Sequence, residues 1–234
     1  MEVAQIHVLT SWFMTFMQLS IVVPMVVVWQ RRPHFSPPVK LLSWYVYISA
    51  FFVISARLAA TYLHHNLYFL IGFNVTKMLL FAAVYRLVLT SPRMRRVLGL
   101  ATVVALGTVA GTLALGAAQA LPVSRVVQCA LLAGFALAYL EQLLNRADNR
   151  TLSQDPLGLL SLGQLIYSAA TVSVFSLDIA IQDSWPVIHL FSDIFLASAG
   201  LALNYFLTLA FLRATPDTPA PAAVAVAGSR LVAS

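Results

Sequence analysis

Charge is scarce in this sequence. Asp, Glu, Lys and Arg make up 9% of its 234 residues, whereas soluble domains carry about 25%. A soluble fold of this size would have too few charged side chains to cover its surface. Cysteine is nearly absent as well. The single residue, Cys129, rules out a disulfide framework, and its apolar surroundings mark it as a buried, inert thiol. There is no Walker motif, dinucleotide fingerprint or zinc-finger spacing. The N-terminus has no positively charged leader, since Glu2 precedes the first apolar run and Arg31–Arg32 follow it, so a cleavable signal is not expected. The net charge of +6 does not point to nucleic acid, because no basic stripe is interleaved with aromatics.

What fills the chain is apolar length. Hydrophobic residues make up 60% of it, an excess that only lipid can absorb. A bilayer core of about 30 Å needs roughly 20 apolar residues per helix. Seven runs meet that length: Ala4–Trp29, Val39–Leu63, Leu67–Leu89, Val97–Ala120, Pro122–Leu144, Leu157–Ile181 and Pro186–Leu212. The sequence therefore predicts an all-α membrane protein, a seven-transmembrane-helix bundle over residues 1–213 with a disordered cytoplasmic tail over 214–234. Prolines and charges mark the breaks at Arg31–Pro38 and Ser91–Arg96, and Leu121–Pro122 is expected to part the fourth and fifth runs.

The basic residues segregate along this pattern. Arg31, Arg32, Lys40, Arg86, Arg93, Arg95, Arg96, Arg146, Arg150, Arg213 and Arg230 fall on one side, and only Arg125 falls on the other. Short Lys/Arg-rich loops stay in the cytoplasm. That asymmetry predicts an outside N-terminus and a cytoplasmic C-terminus.

Ionisable groups inside hydrocarbon are costly and mark candidate sites. Arg57 is expected about 9 Å below the outer end of the second run. Asn74 and Lys77 are three apart and share a face of the third run. Asp178 lies near the outer end of the sixth run, and His189 and Asp193 share a face of the seventh. These six form the candidate ligand-binding set, with Arg57 expected to pair with Asp193 directly or through Lys77. His7, His189 and Asp193 are weak candidates for a metal, zinc by ligand type. No cofactor is expected. Retinal in particular is disfavoured, because the seventh run has no lysine for a Schiff base. Gln164, Tyr167, Asn204 and Tyr205 are expected to make interhelical hydrogen bonds. The pattern Gly107-Thr-Val-Ala-Gly111 predicts close helix approach, within the bundle or with a second copy in a homodimer. Trp12, Trp44, Tyr45, Tyr47, Tyr62, Tyr68 and Trp185 form the expected interfacial belt.

Three stretches carry a resemblance. Asn66–Leu70, Gly163–Tyr167 and Trp185–His189 with Asp193 are similar to a family of seven-helix membrane proteins from Bacteroidota-type bacteria. Members often have an acid where this chain has Lys77 and a histidine where it has Ile71. The resemblance implies a sensory role beside separate regulators. The sequence reading is therefore a receptor-like sensor: a small polar or anionic ligand enters an outward-facing cavity, and an unidentified cytoplasmic signalling protein receives the output. A membrane-embedded metal hydrolase acting on lipid and a small-molecule transporter are the alternatives.

Overall fold

The computed structural model describes residues 3–145, 152–181 and 186–214, with all side chains except those of 3–7, 9 and 177–190. Every regular element among them is helical: α1 (Val3–Leu19), α2 (Val22–Arg31), α3 (Pro37–Tyr62), α4 (Leu67–Val88), α5 (Pro92–Leu115), α6 (Ala117–Leu144), α7 (Pro156–Ile181) and α8 (Pro186–Arg213). Seven segments of 21 to 28 residues are long and apolar enough to cross a membrane, the first spanning both α1 and α2. The bundle is an integral membrane fold.

The first span is broken at Ser20–Ile21, one turn before Pro24. Proline has no N–H and its ring crowds the carbonyl four residues back. The Ser20 carbonyl accepts instead from Val23 N at 3.2 Å, three residues on. The last span braces the break, with Asn204 Nδ2 donating to Ser20 Oγ at 2.6 Å.

The expected boundary at Leu121–Pro122 is corrected. Helix α5 stops at Gly116, whose φ of 131° only glycine adopts without strain. Pro122 lies inside α6, within its second turn. The starts of α3, α5 and α7 follow the rule that proline suits the first helical position. Helix α7 is also capped by Asp155, whose Oδ2 accepts from Gly158 N at 2.8 Å and from Tyr139 Oη of α6 at 2.7 Å. The tail lies outside the described residues beyond Ala214, whose N–H caps α8 by donating to the Ala210 carbonyl.

Packing partners place the spans in a ring. Helix α3 packs on α4, α4 on α6, α6 on α7, α7 on α8, and α8 on α1 and α2, with α2 returning to α3. Helix α5 lies outside this ring against α6 and α4. The α7–α8 contact is close because Gly163 has no side chain; a Cβ there would sit 2.7 Å from Phe206 Cβ. Gly107 and Gly111 do the opposite of what their spacing suggests for packing within the bundle. They are exposed on α5 with nothing within 4 Å of a built Cβ, and α5 buries Thr102, Ala105 and Val109 instead.

The helix ends that carry the basic residues meet at one end of the ring. Arg31 Nη1 donates to the Leu212 carbonyl at 2.5 Å, tying α2 to the end of α8. Gln142 of α6 accepts from Thr90 N and Oγ1 and donates to the Val88 carbonyl, tying α6 to the end of α4. Arg95 donates to the Leu89 carbonyl across the α4–α5 turn.

A caged lysine as candidate functional site

Lys77 is at the centre of the ring. It lies near mid-helix in α4, and its side chain is 2% exposed. Its Nζ sits 4.5 Å from the ring centroid of Tyr167 on α7, 5.5 Å from Tyr45 on α3 and 5.8 Å from Phe81 one turn along α4. Helices α3 and α7 are not neighbours in the ring, so these contacts reach across its interior. Cys129 of α6 is free and buried. Among the described residues Lys77 has no carboxylate partner and makes no hydrogen bond.

A polar seam runs from this lysine along α4, α6 and α7. Above it, Asn74 Nδ2 donates to Ser124 Oγ at 3.0 Å. Towards the basic end, Gln164 Nε2 donates to Ser168 Oγ at 2.9 Å, and Gln164 Oε1 is buried with no partner. A turn further, the Tyr85 and Ser161 hydroxyls are 2.8 Å apart. Tyr85 stacks on Phe135 and meets Tyr139 edge-on, and Tyr139 leads to Asp155. Ser161, Gln164, Ser168 and the buried Thr171 follow spacings of three and four, so one face of α7 carries the seam.

Of the other site residues expected from the sequence, Asn74 lies on this seam and Arg57 does not. Arg57 is exposed, and its Nε donates to Gln18 Oε1 of α1 at 3.0 Å, while Nη2 also reaches Thr15. The expected Arg57–Asp193 pairing is thus replaced by a clasp from α3 to α1. Asp193 is exposed on α8. Asp178, His189 and His7 have side chains outside the described set, so of the metal candidates only Asp193 is described. Among the described residues no three His, Cys, Asp or Glu side chains converge as a metal group would require.

Tyr45 also changes role. It was expected in the interfacial belt, and it is instead buried under the lysine. Trp12, Trp44, Tyr62 and Tyr68 are exposed, as belt residues are. Asn204 makes the interhelical bond expected of it, whereas Tyr205 is exposed.

No family model, curated protein or solved structure matches the chain.

Proposed function

We propose that the chain is a receptor-like membrane sensor in which a small anionic or polar ligand neutralises Lys77. The observation that carries this reading is a cation enclosed by three aromatic rings with no anion from the described residues. Removing a charge from water costs several kcal/mol even after the protein relaxes. A desolvated cation–π contact returns about 2 kcal/mol at best, and the two longer distances here are worth less. The rings shape a site for the ammonium without balancing it. A carboxylate or similar anion would balance it, and the orphaned Gln164 Oε1 one turn away would accept a donor from the same molecule.

In this reading the ligand enters from the outer side, between α3, α4, α7 and α8. Neutralising Lys77 shifts Tyr167 on α7, and the seam carries that shift towards Asp155 and the basic end. The positive-inside tendency supports a cytoplasmic location for that end and an outside N-terminus, and the family resemblance supports a bacterial inner membrane. Output passes to a separate cytoplasmic protein, in line with the role that the family resemblance implies.

The test is thermal stability of the purified protein against acetate, succinate and benzoate. A ligand at a hundred times its Kd stabilises by about 2.7 kcal/mol. At least one of these anions is expected to raise the Tm of the wild type and leave Lys77→Met unmoved. No shift with any of the three, or equal shifts in both proteins, contradicts the reading.

A further inference from the structure

A second cation stands out at the basic end. Arg32 opens the short 3-10 turn Arg32–His34 between α2 and α3. Its guanidinium carbon lies 4.5 Å from the ring centroid of Trp44 and 5.9 Å from that of Tyr47, both on α3. Of the two rings, that of Trp44 lies nearer the guanidinium. Its Nε is buried with no hydrogen-bond partner, and its guanidinium makes no hydrogen bond to a described residue. Its neighbours in the basic collar are used differently: Arg31 caps the Leu212 carbonyl, and Arg95 caps the Leu89 carbonyl. Arg32 alone of these three holds N–H donors that no acceptor among the described residues fills.

The surroundings say what fills it. Trp44 is 48% exposed on a membrane-spanning helix, so its indole faces lipid, and its place two turns into α3 puts it near headgroup depth. Lys40, Arg93 and Arg96 are exposed at the same end and add positive potential. Anionic lipids concentrate at such basic segments. Arginine held flat on an aromatic ring binds phosphate oxygens through two parallel N–H bonds, a geometry that lysine cannot copy.

We propose that Arg32, laid on Trp44 and Tyr47, is a headgroup site for an anionic phospholipid. The guanidinium takes the phosphodiester, the collar excludes headgroups that carry a cation, and the acyl chains run past Trp44 along the outside of α3.

Native mass spectrometry of the full chain in detergent, titrated with dioleoyl phosphatidylglycerol or dioleoyl phosphatidylcholine, tests this. Charge-assisted hydrogen bonds correspond to about a tenfold change in affinity. The wild type is expected to retain phosphatidylglycerol about tenfold better than phosphatidylcholine. Arg32→Gln is expected to lose about that factor. Arg32→Lys, which keeps the charge and is the milder change should Arg32→Gln fold poorly, is expected to fall in between. Arg96→Gln is expected to change retention less than twofold, about the effect of one screened surface charge. Equal retention of the two lipids overturns the proposal, as does an Arg32→Lys variant that matches the wild type. Displacement of the lipid by millimolar inorganic phosphate overturns it as well, because the ligand would then be free phosphate.

Discussion

The interior of the ring and its periphery treat the same residue types in opposite ways. Lys77 and Arg57 are both cations within apolar spans, yet one is caged by Tyr45, Phe81 and Tyr167 and the other is exposed and bonded to Gln18 and Thr15. Gly163 and Gly107 are both helix glycines, yet one is pressed against Phe206 and the other has nothing near it. A residue's depth in the bilayer therefore says little about its role. Its rotation about the helix axis decides whether it belongs to the seam or to the lipid-facing surface.

The contrast is sharpest at Lys77. Replacing even a buried ion pair with apolar side chains of similar volume is often neutral or stabilising, by about 1–4 kcal/mol, and a lysine with no carboxylate partner has no pair attraction to lose. Lys77→Met is thus expected to raise the ligand-free Tm by about 5 °C, since 1 kcal/mol corresponds to about 2–4 °C in a chain of this length. A lower Tm in this variant would mean that the lysine is already balanced within the protein.

Gly163→Ala comes next. Its new methyl would meet a Cβ, which cannot swing away, so α7 and α8 must separate. Overpacking of this kind costs about 1–3 kcal/mol. Chemical denaturation in mixed micelles would measure it, and a loss below about 0.5 kcal/mol, the range of ordinary surface changes, would show that the two helices are not held as closely as described.

The periphery is expected to respond least. Arg57→Gln removes an exposed clasp, and Gly107→Ala adds a methyl to open space. Arg57→Gln should change stability by about 0.5 kcal/mol or less, and Gly107→Ala should stabilise slightly, by about 0.5–1 kcal/mol through helix propensity alone, both read by the same denaturation. A loss of several kcal/mol at Arg57 would move it from the rim into the load-carrying interior and erase the comparison.

These differences explain what could be read from the sequence. Seven spans were legible because apolar length alone reports them. Their ends were legible wherever proline or charge intervenes, as at Pro37, Pro92 and Pro156. The break at Ser20 carried a signal in Pro24, four residues on, but an unbroken apolar run hides it. At the α5–α6 boundary, Gly116 and Pro122 compete as breakers, and the positive φ at Gly116 decides the matter.

The site was legible in part. Lys77 and Asn74 stand out as polar groups in an apolar run. The partners of Lys77 do not, because aromatics are common everywhere in such a sequence. In a soluble helix, polar and apolar faces fix which side is buried. Lipid makes both faces apolar, so the contrast that would have separated Tyr45 from Trp44, or Lys77 from Arg57, is missing from the sequence.

An experimental density map of the protein purified from its own membrane, at a resolution that shows side chains, tests the central claim most directly. The expected result is non-protein density with an acidic group within hydrogen-bonding distance of Lys77 Nζ, enclosed by Tyr45, Phe81 and Tyr167. A carboxylate of the protein itself in that place, with the three rings unchanged and no added density, would contradict the account.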